Sequence, residues 1–144
     1  MADTDMTTIE AESFLADLHV GILSIARDGK GPLALPIWYR YEGGEVIISM
    51  SDTSTKTTLL RRHGRASLTV QQEAPPYKYV MVEGPVTVTP HDPTEHGDTL
   101  GMATRYLGEE MGAWYAEQNP PGDHTVTARL RPDRWLTCDY AKVL

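Results

Sequence analysis

The chain has 144 residues, 40% hydrophobic and 23% charged, which is enough for one domain with a real core and too few for two. A formal charge of −7 argues against a nucleic-acid binder, whose affinity rests on Lys and Arg neutralising phosphates, yet it allows one small anionic ligand where a few cations gather. Cys138 is the single cysteine, so no internal disulfide forms; no apolar run approaches the ~20 residues of a membrane span, and the acidic start MADTDMTTIEAESF lacks a signal-peptide pattern, so a cytoplasmic protein is expected.

Thr7 and Thr8 precede IEAESFLADL, where Ile9, Phe14, Leu15 and Leu18 lie near helical spacing; threonine followed by acidic residues is a good helix start. His19 to Ala26 is a short run rich in β-branched residues and reads as a strand. RDGKG is a turn, since Asp-Gly supplies the positive φ that a tight hairpin needs. PLALPIWYRY returns as a second strand, with Pro36 pointing to a bulge or an unpaired edge because proline cannot donate to the ladder. EGGE is a turn and VIISM a third strand. RASLTVQQ, YVMVEGPVTVTP, HTVTARLRP and RWLTCDY follow as four more strands. Between them, Asp92 to Gln118 carries Leu100, Ala103, Leu107, Met111 and Trp114 at helical spacing and reads as one helix, ended by NPPGD. Seven short strands joined mostly by hairpin-like connections predict a mainly β chain, an antiparallel Greek-key barrel forming one domain over residues 1–144.

Residues 50 to 70, MSDTSTKTTLLRRHGRASLTV, concentrate hydroxyls and cations in an acidic chain. TSTKTTLLRRHG predicts one or two helical turns capped by Ser54 or Thr53 and ended by Gly64, with Leu59 and Leu60 facing the core. Arg61 and Arg62 suit the C-terminal end of that helix. Lys56 sits in the first turn, where the dipole disfavours a cation by ~0.3–1 kcal/mol. An anion resting on the free N–H groups would reverse that sign and gather the amides, the hydroxyls of Ser54, Thr55 and Thr57 and the Lys56 ammonium at one spot. The plainer reading leaves Lys56 in solvent with Asp52 offsetting its charge.

The order of these segments over Ile9 to Tyr140, above all the K-T-x-x-L-x-R block with its following R-A-S strand and the V-E-G-P-V strand, resembles the pyridoxamine 5′-phosphate oxidase-like flavin and deazaflavin proteins, and among them the branch that binds coenzyme F420. The resemblance implies an FMN-binding-like split β-barrel and a homodimer with two cofactors at the subunit interface. It implies that Ser51, Ser54, Lys56 and Thr57 hold the cofactor phosphate, that Ser49 and Met50 lie beside the ring, and that Pro36, Ile37 and Trp38 flank it. Tyr77, Lys78 and Tyr79 would approach the other subunit's cofactor. The implied activity is hydride transfer between F420 and a conjugated small-molecule acceptor, with FMN as the alternative cofactor and a non-catalytic or haem-binding barrel as the alternative class. The chain shows no C-terminal Arg-x-His element, so vitamin B6 oxidation is not expected.

Other tempting residues carry less. Cys138 reads as a small buried filler. His91, Asp92, Glu95 and His96 match no standard zinc spacing, and His19, His63 and His124 are scattered without a triad order. Haem calls for an axial ligand, and no histidine falls on the strands expected to line the cofactor. Arg61, Arg62 and Arg65 read as a solvated face. No side chain is named as a catalyst; Tyr79, Lys78 and Arg40 are the only guesses for a proton donor.

Overall fold

The computed structural model describes residues 2–92, 94 and 99–144. The expected first helix, α1 (Thr8–Ala16), is closed by a reciprocal cap: Thr7 Oγ1 accepts from the Glu10 amide at 3.2 Å and Glu10 Oε1 accepts from the Thr7 amide at 2.8 Å. It buries Ala11, Phe14 and Leu15.

Eight strands follow the alternation in the sequence: β1 (Gly21–Ile25), β2 (Leu33–Ile37), β3 (Arg40–Glu42), β4 (Glu45–Ser51), β5 (Arg65–Gln72), β6 (Lys78–Pro90), β7 (Thr125–Leu130) and β8 (Arg134–Asp139). They form one antiparallel, half-barrel sheet in the order β2-β1-β5-β6-β7-β4-β3, with β8 paired to β6. The expectation of a mainly β barrel-type fold holds. Pro36 lies in β2, an outermost strand, as its missing donor requires.

The long strand β6 joins the two halves. Up to Pro85 it pairs with β5, and from Val86 it pairs with β7. Gly84 stands at this changeover because a side chain does not fit: a Cβ there would lie 1.9 Å from the Arg131 carbonyl oxygen. Inside the curl, Leu23, Ile25, Leu68, Val70, Val80, Val82, Val46, Ile48 and Leu130 form the core with Leu15 and Phe14 of α1.

Two elements differ from the expectation. PLALPIWYRY is not one strand. It breaks at Trp38 and Tyr39, because Tyr39 turns fully inward, its hydroxyl donating to the Leu15 carbonyl at 2.5 Å and its amide to the Tyr106 hydroxyl at 3.1 Å. That break makes β3 the additional strand. The long helix is also two: α3 (Thr99–Leu107) and α4 (Glu109–Gln118), separated by Gly108 at φ 86°. A positive φ at the glycine ends α3, and the chain folds back so that Gly112 packs on the Thr104 backbone. The apolar spacing therefore does not describe one buried stripe. Met102 and Ala103 are buried, whereas Leu100, Met111 and Trp114 are exposed. The chain closes with a single 3₁₀ turn, Tyr140–Val143.

Candidate functional site

The segment between β4 and β5 folds as its residue types ask. Helix α2 (Thr55–His63) has Ser54 as N-cap and Gly64, at φ 67°, as C-cap. The Ser51 carbonyl gathers the turn, accepting from the Ser54 amide at 3.2 Å, the Ser54 hydroxyl at 3.0 Å and the Thr57 hydroxyl at 2.6 Å. Ser54 Oγ also accepts from the Thr57 amide at 3.4 Å. These two hydroxyls are thus committed to shaping the turn, and Thr57 is fully buried. The amides of Thr55 and Lys56, at the first two helical positions, have no acceptor within the helix.

The cations of the segment divide sharply. Arg61 pairs with Asp52 at 2.6 Å, Arg62 with Asp28, and Arg65 with Asp133 through two bonds of 2.8 and 2.9 Å. Asp52 therefore answers Arg61, not Lys56. Lys56 makes no ion pair among the described residues and is half-buried.

Lys56 instead lines a cavity of about 490 Å³, within the ~300–1,000 Å³ usual for small-molecule sites. Ser49, Met50 and Ser51 form its floor at the end of β4, with Ile37 and Trp38 beside them. Its roof is the α3–α4 hairpin and the loop after it, through Thr99, Met102, Tyr115, Asn119, Pro120 and Pro121, while His124 and Thr125 close the end next to Ser51. One end is therefore cationic and polar, the other aromatic and apolar.

Long-range bonds hold the roof. The Tyr106 hydroxyl donates to the His19 carbonyl at 2.5 Å and accepts from the Tyr39 amide, and Arg105 donates to the carbonyls of Ala16 and Asp17, both at 2.9 Å, at the electronegative end of α1. Tyr106 also stacks on Trp38, with centroids 5.1 Å apart and planes 5° from parallel. Tyr115 meets Trp38 at 5.3 Å, tilted 54°. Burial, and then the neighbouring Tyr106, raises the Tyr39 phenol well above its ordinary value. On the far side of α1, burial and the Glu12 carboxylate push Tyr41 up to about 12. Both phenols stay protonated hydrogen-bond donors.

Of the residues named from the sequence, the structure brings Ile37, Trp38, Ser49, Met50, Ser51 and Lys56 together around one cavity. Ser54 and Thr57 lie just behind its wall, in the turn that positions it. Pro36 lines a neighbouring shallow pocket with Val20. Tyr77, Lys78 and Tyr79 stand apart at the start of β6, where Lys78 lies 5.2 Å from the centre of the Phe14 ring and Tyr79 stands opposite Cys138 of β8. The roof residues were not found from sequence. Tyr115 stands at the end of the helical run beside Trp114 with nothing to mark it as a site residue, and the Pro-Pro pair reads only as a helix stop. His124, in the loop immediately before β7, also lines the cavity, while the strands that line it carry no histidine.

Among the described residues no three His, Cys, Asp or Glu side chains converge as a metal site; Glu95 and His96 lie outside those residues. Cys138 is buried and free. No described helix is long and apolar enough to cross a membrane.

Solved structures share this architecture. A conserved hypothetical protein of Mycobacterium tuberculosis superposes with a TM-score of 0.81 at 22% identity, covering 99% of this chain and 91% of that one. A protein described as an F420 reductase gives 0.62 at 21%, covering 87% and 94%. The FAD and heme binding protein of Mycobacterium smegmatis gives 0.71 at 18%, covering 96% and 73%. The profile of one family, pyridoxamine 5′-phosphate oxidase, matches residues 7–139 of the sequence. With that profile matched over nearly its whole length, the chain belongs to the pyridoxamine 5′-phosphate oxidase family.

Proposed function

We propose that the cavity takes the ring and phosphate of a deazaflavin, coenzyme F420, and that the chain is an oxidoreductase passing a hydride from it to a conjugated small-molecule acceptor. The observation that carries this reading is the contrast among the cations of the 50–70 segment. Each arginine there has an aspartate, whereas Lys56 has none and faces the cavity at a helix N-terminus.

The donor set suits such a group. Lys56 Nζ and the amides of Thr55 and Lys56 can hold a phosphate, and the committed hydroxyls of Ser54 and Thr57 keep those donors in place. Trp38, backed by Tyr106, offers a flat apolar surface to a ring, while Ile37, Met50 and Met102 keep water from it. A bound deazaflavin supplies the two-electron hydride chemistry; the protein's part is to hold donor and acceptor face to face. FMN carries a phosphate of the same kind and is the alternative occupant.

A homodimer accords with the outer face of the sheet. The register sets Ile22, Thr69, Met81 and Leu136 in one lateral row across β1, β5, β6 and β8, and Ile22 and Leu136 are exposed there. Burying such a row against a second copy removes apolar surface from water. Tyr79 shares this face, so the Tyr77–Tyr79 segment would then meet the partner.

Fluorescence titration of the purified chain with oxidised F420 tests the reading. Lys56→Ala should bind at least tenfold more weakly, from the ~1.5–3 kcal/mol of a charge-assisted hydrogen bond, with an unchanged melting temperature. Equal affinity in wild type and variant would remove Lys56 from the site, and binding of FMN with none of F420 would move the reading to the flavin.

A further inference from the structure

We propose that Tyr115 is the proton donor of the reaction, delivering its hydroxyl proton to the oxygen of a conjugated carbonyl acceptor held against Trp38. The inference rests on the oxidoreductase reading above. Of the tyrosines around the cavity, Tyr39 and Tyr106 have hydroxyls committed to main-chain carbonyls. Tyr115 lines the cavity itself, and its hydroxyl makes no hydrogen bond among the described residues.

The phenol is also held in place. The Tyr115 carbonyl accepts from both the amide and the side-chain nitrogen of Asn119, at 2.9 and 3.0 Å, which fixes the last turn of α4. Close packing of Gly112 on Thr104 fixes α4 to α3, and Tyr106 fixes α3 to the sheet beside Trp38. A free polar group on a rigid mount, next to an aromatic face, is the arrangement that general-acid catalysis asks for.

The other candidates stand elsewhere. Lys78 lies over Phe14 and Tyr79 stands opposite Cys138 of β8, neither on the cavity's lining, and Arg40 pairs in register with Ile47 of β4 and is not on the lining either. His124 reaches the cavity at the Ser51 end, its carbonyl accepting from the Asp52 amide at 2.6 Å, on the same side as Lys56. That is the anion end and not the ring end.

The step balances as follows. The β-carbon of an enone or quinone receives a hydride and its electron pair from the reduced cofactor. The carbon–carbon π pair moves to give an enolate, and the enolate oxygen takes the Tyr115 proton. The acceptor gains two electrons and two hydrogens, the cofactor loses two electrons, and the phenolate regains a proton from water.

The test uses the full chain, F420 and menadione as the quinone probe. Tyr115→Phe should bind oxidised F420 within twofold of wild type and slow single-turnover hydride transfer at least tenfold. It should also weaken binding of menadione to the cofactor-free chain about threefold or more by equilibrium dialysis, because a donor to the carbonyl is gone. Unchanged transfer in Tyr115→Phe, whatever its menadione binding, would overturn the assignment while leaving the cofactor reading intact. Failure of the wild-type chain to bind either F420 or FMN would overturn both.

Discussion

The floor and the roof of the cavity are built by different means. The floor, from the end of β4 into α2, is held by bonds that span three to six residues, converging on the Ser51 carbonyl. The roof is held by side chains that reach across the chain, such as the bonds of Tyr106 to Tyr39, 67 positions away, and to His19, 87 away. Local bonds form a rigid turn wherever the turn is placed, so the Lys56 end of the site is set by composition. The aromatic end exists only once the tertiary fold is complete. A family could then keep one floor and vary what it accepts by changing the hairpin above it.

That contrast can be broken first at the frame that both parts share. Gly84→Ala puts a methyl 1.9 Å from the Arg131 carbonyl oxygen, against backbone on both sides of the turn between β7 and β8. Relief requires moving β6 where it changes partners. The expected loss is about 3 kcal/mol, or a fall of about 6–12 °C in melting temperature for a chain this long. Thermal unfolding followed by circular dichroism reads it. A change under 2 °C would mean that the changeover tolerates a side chain and the frame is softer than the packing implies.

A smaller and more selective break lies between the two helices of the roof. In Gly112→Ala the added carbon would stand 2.7 Å from the Thr104 Cα and nitrogen, so α4 must lift from α3. The cost should be about 1–3 kcal/mol, concentrated in the roof. Hydrogen exchange should quicken in Glu109–Gln118 and leave β5 and β6 protected, and the tilt of Tyr115 on Trp38 should be lost as altered tryptophan emission. Affinity for inorganic pyrophosphate, a probe of the Lys56 end, should stay within twofold. Equal loosening of roof and sheet would show that the hairpin is part of the core and not a separable cover.

The same division explains what could be read from the sequence. Strand alternation, the Asp-Gly and Gly-Gly turns, the Ser54 cap and the Gly64 stop depend on neighbours, and each appears where the residue types put it. The Lys56 end of the site was legible for the same reason. Tyr39 was not, because its inward turn is decided by the carbonyl of Leu15 and the hydroxyl of Tyr106, which no local pattern encodes. Nor was the break in the long helix: Gly108 was visible, but a glycine inside an apolar spacing of three and four residues is tolerated in many helices. What distinguishes this glycine is its positive φ, held by the fold-back that packs Gly112 on Thr104, a contact no local pattern encodes. The one signal that could have marked the roof as part of the site is the Asn-Pro-Pro run, since two prolines fix a rigid apolar edge where a helix must stop.

The smallest expected effect lies at the seam between the two parts. The His19 carbonyl anchors Tyr106, while its ring packs 4.4 Å from Phe14 and donates through Nε2 to the Phe14 carbonyl at 2.8 Å. Burial holds the His19 pKa below its ordinary 6.5; the Phe14 carbonyl and Asp17 oppose that, and Arg105 and Lys78 add to it. The folded chain therefore binds this proton less readily than the unfolded chain. The stabilisation from keeping the ring neutral is complete above about pH 6.5 and is lost as pH falls through the lower, folded value. Because the charged ring would sit beside the Tyr106 anchor, the loss should appear first in the roof. Between pH 7.5 and 5, exchange of the Thr99–Leu107 amides, corrected for the intrinsic rate, should quicken more than that of β6. His19→Gln, whose amide can still donate to Phe14, should flatten that dependence. An identical pH profile in the variant would place the acid sensitivity elsewhere and make the seam an ordinary part of the frame.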